Sequence, residues 1–302
     1  VDCDRVGVYL WDRDTRELVR AAETRQIGAE GARLAAQSAW RPVPGGILER
    51  FVDDPNRAPV LIEEDSGPLG LMLRQLGFVA TVLVPLAPPG ELLGLLSVSV
   101  LERPERLALS EDLLDRLSGV AAQATTALQN GRLVDVITHQ ALHDQLTGLA
   151  NRLSLTNQLQ AALRRAVQGS ESGALLYVDL DRFKPVNDEF GHETGDELLA
   201  AVAGRLRAAT RAGDVVARLG GDEFALLLVS AGAPEVRMIS ERIVAALREP
   251  FVVGGRRLEL GASIGSSRYP ADAADADGLL RAADQAMFRE KRGRQARRRS
   301  AA

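Results

Sequence analysis

DVVARLGGDEFALLLV, residues 214–229, reads as two strands, 214–219 and 223–229, closed by Gly220-Gly221-Asp222. Glycines between two strand-like runs mark a hairpin tip, because they accept the positive φ that a tight turn demands. A second apolar run, ALLYVDLD at 174–181, ends on Asp179 and Asp181. A carboxylate at the end of a buried strand is costly unless a positive charge meets it. If the hairpin pairs beside that strand, Asp222 and Glu223 join Asp179 and Asp181. Such hard oxygens, completed by phosphates, suit Mg²⁺. Taken alone, either acidic pair reads better as a tight turn or as solvated strand ends.

Working outward, helices are expected at 154–168, from about 195 to 211, at 234–248 and from 277, with strands at 250–253 and 257–267. The front of the chain reads as strands at 6–12 and 17–23, a helical patch ending near Trp40, a strand at 59–64, a short helix at 69–76, and strands at 80–87 and 91–100. Both halves are thus α/β (α+β), the front one with a mostly antiparallel sheet. Ser110 followed by Glu111 and Asp112 starts a further helix. Along it Leu113, Leu117, Val120, Ala124, Ala127, Gly131 and Val134 alternate at spacings of four and three. That is a coiled-coil-like seam, weakened at Gly131 by about 1 kcal/mol relative to Ala. The helix either packs on its own domain or pairs with a second copy. Pairing is favoured, since the helix runs between two domains and its seam residues are small. The expected organisation is a first domain over 1–130, a linker helix over 131–143, a second domain over 144–296 and a basic tail over 297–302.

A chain of 302 residues with 46% hydrophobic and 26% charged residues fits two folded, soluble domains. A net charge of -4 argues against general nucleic-acid binding, and the basic run at 291–299 reads as solvated. Residues 80–101 are broken by Pro85, Pro88, Pro89 and Glu91, which suits strands and a turn rather than a membrane helix. A single cysteine, Cys3, excludes an intramolecular disulfide, and with no signal-peptide pattern a cytoplasmic location is expected. The first residue is Val, which leaves upstream domains open.

Directly after Asp181, FKPVNDEFGHETGD (183–196) places Lys184, Asn187, His192 and Asp196 beyond the strand. Here the chain resembles the GGDEF-domain diguanylate cyclases. Residues 179–188 look like one family motif, and 220–224 read GGDEF outright. HDQLTGLANR (143–152), GASIG (261–265) and ADQAMFREKRGR (283–294) resemble three more, all in the family's order over about 140–295. The resemblance implies a palm-like domain that condenses two GTP into cyclic di-GMP across a homodimer, each protomer holding one GTP. It implies two Mg²⁺ ions, or Mn²⁺ in their place, held by Asp179, the Leu180 carbonyl and Asp222. Asp222, Glu223 and Lys184 would be catalytic. Phe183, Lys184, Asn187, His192, Asp196, Lys291 and Arg294 would bind substrate, with Asn187 and Asp196 reading guanine. Lys184 and Lys291 are the only lysines in an arginine-rich chain, and both fall on the family's phosphate-binding positions. The terminal motif departs from the family pattern, since only Arg292 separates Lys291 from Gly293-Arg294. Arg211 and Asp214, standing ahead of Gly220, resemble a product-inhibition site. Asp144 is expected to pair with Arg152, and His139 and His143 to be structural.

Residues 1 to about 130 resemble a GAF sensory domain by strand order. This region lacks histidine, which weakens a haem reading, and Cys3 at the terminus disfavours a covalent bilin. A small-molecule or protein signal, or a purely dimerising role, are the readings left. The rival to the enzyme is a silent receptor of GTP or cyclic di-GMP, which would be expected to lose metal carboxylates. An ATP-accepting cyclase would be expected to change at Asp196.

Overall fold

The computed structural model describes residues 2–24, 40–63, 65–169 and 172–300, with side chains as far as Arg294. The helical patch expected ahead of Trp40 lies outside the described residues. The chain divides into two compact units, Val1–Val134 and Asp135–Ala302.

In the first unit, β1 (Arg5–Asp12), β2 (Glu17–Glu23), α1 (Ile47–Asp53), β3 (Val60–Ile62), α2 (Gly67–Gln75), β4 (Ala80–Leu86) and β5 (Gly94–Val100) are followed by the long α3 (Glu111–Leu142). The strands form one antiparallel sheet in the order β2-β1-β5-β4-β3. Alternation along β1 decides which face each side chain covers. Tyr9 and Trp11 pack with Trp40, Phe51 and Leu73, whereas Val6 and Val8 pack on the face that receives Leu113, Leu117 and Ala121 of α3. The first turns of the expected seam are therefore spent on the helix's own sheet. Further along, Val120, Leu133, Val134, Val136 and Ile137 are exposed.

The second unit contains α4 (Arg152–Val167), β6 (Gly173–Asp181), α5 (Phe183–Phe190), α6 (His192–Ala208), β7 (Val215–Gly220), β8 (Glu223–Val229), α7 (Ala233–Arg248), the small hairpin β9 (Phe251–Val253) and β10 (Arg256–Leu258), β11 (Gly261–Tyr269) and α8 (Ala276–Ser300). Its main sheet is antiparallel with the order β11-β6-β8-β7. Both faces are covered, which is why β6 and β8 read as unbroken apolar runs. Leu176, Val178, Phe224 and Leu226 meet α6 and α7, while Leu175, Tyr177, Ala225 and Leu227 meet α4 and α8. By the same alternation Asp179 and Asp181 fall on the α8 side of β6, at its end.

Helix α8 lies close to β11 because Gly265 has no side chain. A Cβ there would stand 2.0 Å from the Met287 amide nitrogen and 2.1 Å from the Ala283 carbonyl oxygen. Backbone cannot retreat as a flexible side chain can. Gly265→Ala is expected to destabilise the domain by about 3 kcal/mol, read as a lower denaturant midpoint.

Candidate active site

The ladder between β6 and β8 sets Asp179 opposite Glu223, and the Leu180 amide donates to the Asp222 carbonyl at 3.2 Å. The intervening turn needs glycine, since Gly220 and Gly221 have φ of +143° and +52°. The hairpin thus carries Asp222 and Glu223 to the end of β6, as its sequence predicts. From α8, Lys291 Nζ lies 2.5 Å from Asp179 Oδ1.

Burial pushes the Asp179 carboxyl above its ordinary range, and the charges of Asp222 and Asp181 add to the rise; Lys291 offsets only part of it. At Lys291 the balance is reversed. Burial pulls the ammonium down, but its hydrogen bond to Asp179 and the neighbouring carboxylates outweigh it and hold it raised. Asp179 is only 13% exposed and Lys291 31%, so burial weighs more on the acid. The ionised acid is a standing cost to the metal-free fold, which a divalent cation would relieve. Among the described residues, no three His, Cys, Asp or Glu side chains converge to hold a metal by themselves. That agrees with Mg²⁺, which takes one or two carboxylates and leaves its other positions to phosphates and water. Asp179 and Asp222 could supply such carboxylates, and the Leu180 carbonyl a further oxygen.

Asp181 accepts from Ser263 Oγ at 2.9 Å and lies 3.9 Å from Arg294 Nη1. Arg294 donates to the Ala262 carbonyl at 2.6 Å and pairs with Glu290 at 2.5 Å. The shortened terminal motif therefore leaves Arg294 beside the site but bound to the chain itself. Ser263 and Glu290 were not singled out in the sequence; GASIG and the terminal motif were the signals that contained them.

Beyond β6 the chain turns sharply through Arg182, which has a left-handed φ of 67°. Phe183 is buried in the core beneath this corner, Lys184 is exposed, and His192 and Asp196 are exposed one turn apart on α6. Asn187 Oδ1 is buried and accepts no hydrogen bond. It occupies the space over Gly195, where a Cβ would stand 1.8 Å away.

Asp144 does not pair with Arg152. Its carboxylate binds Arg218 Nη1 at 3.2 Å through both oxygens, and also accepts from the Thr147 hydroxyl and amide. Arg218 in turn donates to the Gly221 carbonyl at 3.0 and 2.9 Å. The first turn after α3 is thereby tied to the tip of the hairpin. Burial raises the Asp144 carboxyl, but the Thr147 and Arg218 hydrogen bonds outweigh it and leave it below the usual range. Arg211 and Asp214 sit at the opposite end of β7 from Gly220, roughly 20 Å away at about 3.3 Å per residue. Arg211 Nε reaches Asp214 at 3.4 Å and its guanidinium also donates to the Val229 carbonyl. The Asp214 side chain is 1% exposed.

This corner-and-hairpin geometry has counterparts in known proteins. The family model described as "Diguanylate cyclase, GGDEF domain" matches residues 141–297, more than half of the chain. The chain belongs to the GGDEF family. Ahead of the GGDEF domain, the GAF domain model matches residues 1–128. MucR of Pseudomonas aeruginosa, a bifunctional diguanylate cyclase and cyclic di-GMP phosphodiesterase, is 39% identical over 188 residues, which are 61% of this chain and 27% of MucR. The diguanylate cyclase DgcP of Escherichia coli is 32% identical over 231 residues, 74% of this chain and 67% of DgcP. The solved coiled coil and GGDEF domain of DgcB from Caulobacter crescentus, in complex with cyclic di-GMP, superposes with a TM-score of 0.53 at 27% identity, covering 59% of this chain and 95% of that one. The chain spans 27% to 42% of the length of MucR and several other curated relatives. No helix among the described residues of this GGDEF protein is long and apolar enough to cross a membrane.

Proposed function

We propose that this chain is a diguanylate cyclase, joining two GTP into cyclic di-GMP with release of two pyrophosphates. The observation that carries the reading is the meeting of Asp179, Asp222, Glu223 and Lys291 at the end of β6, next to a corner that bears an unpaired buried acceptor on Asn187. Guanine offers N1–H and an N2 amine; Asn187 Oδ1 and the exposed Asp196 carboxylate are the acceptors within its reach. Adenine leaves them unmatched, and a site built for such hydrogen bonds discriminates by about 10⁴ or more. Lys184, and Lys291 once released from Asp179, would hold phosphate oxygens.

Two divalent cations held by Asp179, the Leu180 carbonyl and Asp222 would neutralise charge on the triphosphate and make the ribose 3′-hydroxyl more acidic. Glu223 would accept the proton of that hydroxyl. The 3′-oxygen of each GTP then bonds to the α-phosphorus of the other, and each bond to pyrophosphate breaks. One protomer holds one GTP, so two must face each other, and the exposed Val120 and Leu133–Ile137 stretch of α3 would pair them. A GTP-consuming reaction would run in the cytoplasm. Signals received by the GAF domain would alter that pairing. Arg211 would bind product phosphate or guanine and slow turnover, which requires it to leave Asp214 and Val229.

Turnover tests the reading. With GTP and Mg²⁺ the chain should release two pyrophosphates per dinucleotide formed, and with ATP none; equal release from ATP would contradict the guanine site.

A further inference from the structure

Two histidines take no part in the mechanism above. His139 stands in the last turn of α3, and His143 follows the helix by one residue. The His143 amide still donates to the His139 carbonyl at 2.9 Å, so the pair keeps helical spacing and shares one face of the helix. Their rings are stacked, with centroids 4.2 Å apart and planes 6° from parallel. His139 is exposed and His143 half-buried, which leaves the pair open to ions in solution.

The His143 ring has a second contact, from Nδ1 to the Gly148 carbonyl oxygen at 3.4 Å. A carbonyl only accepts, so this contact calls for the proton on Nδ1 and leaves the Nε2 lone pair free. Histidines that ligate metals are held in the same way, one nitrogen donating to a carbonyl while the other faces the ion. Rotation about χ2, a broad torsion in histidine, would turn the stacked rings into a two-nitrogen chelate. Histidines at i and i+4 on one helix face are a known zinc-ligating pair. Among the described residues no third His, Cys, Asp or Glu converges on them, so water would complete the coordination. Imidazole nitrogen suits Zn²⁺, Ni²⁺ and Cu²⁺, whereas Mg²⁺ takes oxygen.

We propose that His139 and His143 form a binding site for a transition-metal cation of the Zn²⁺ class, separate from the carboxylates at the end of β6. An ion held by both rings ties the last turn of α3 to the residue before Asp144 and, through His143 Nδ1, to Gly148. The inference goes beyond the cyclase reading and does not depend on it.

Titration calorimetry of the nucleotide-free chain with Zn²⁺, in excess Mg²⁺ to occupy the oxygen site, tests the proposal. The wild type should bind one Zn²⁺ per chain. So should His192→Gln, which removes the one other histidine in the sequence. His139→Gln, a change at an exposed position, should bind about a hundredfold more weakly, because a second ligand on the same molecule raises the effective concentration by that order. Amide hydrogen exchange over 139–148 should slow on adding Zn²⁺ to the wild type and stay unchanged in His139→Gln. Equal Zn²⁺ affinity in the wild type and His139→Gln, or no binding by the wild type, would overturn the assignment.

Discussion

Asp222→Ala is expected to abolish cyclic di-GMP formation, by about a thousandfold or more, while leaving the domain folded. Charge stabilisation at a transferring phosphoryl group is worth several kcal/mol, and each 1.36 kcal/mol is tenfold in rate. In the proposed mechanism Asp222 is the carboxylate that joins Asp179 in holding that charge, while Glu223 takes the proton of the attacking hydroxyl. The fold should not suffer. The Asp222 carbonyl, rather than its carboxylate, bonds the Leu180 amide, and its charge raises the cost of ionising Asp179. Chromatography of nucleotides checks the first half of the prediction, and the unfolding midpoint, equal to or above that of the wild type, checks the second.

Phe224→Ala carries the largest expected cost in stability. The ring is wholly buried beside Val178 and Leu226, one residue from the carboxylates. Its deletion removes the transfer free energy of a large side chain and leaves a cavity that strands β6 and β8 are too well paired to collapse, a loss of about 3–5 kcal/mol. Domains are stable by only about 5–15 kcal/mol. Urea unfolding should show a much lower midpoint for the transition of the GGDEF domain. A variant that folds should also lose activity, because Phe224 adjoins Glu223 in β8 and its loss loosens the strand end that carries the carboxylate.

The hairpin was legible because glycine leaves few alternatives at a turn, and because alternation along β6 and β8 could not place the acids anywhere but at the strand end. The corner was less legible. Residues 183–194 show no apolar periodicity long enough to announce a helix, and a helix was expected only from about 195; proline is tolerated in a first turn where its missing N–H has no partner to lose, and the chain forms α5 there and starts α6 at His192 after Gly191. Asp144 found Arg218, 74 residues away, instead of the nearer Arg152. Spacing along a chain cannot reveal a contact that only the return of β7 creates. The α3 seam mixed two jobs in one pattern: Leu113 and Leu117 are buried on the front sheet while Val134 is exposed. A single periodicity does not say which partner each turn of a helix will meet.

The measurement that tests the central claim most directly is incubation of the purified chain, freed of bound nucleotide, with GTP and Mg²⁺, followed by chromatographic identification of the product. The account predicts cyclic di-GMP from the wild type and none from Asp222→Ala. Intact GTP after incubation of a confirmed dimer would contradict it, and would make the site that of a receptor.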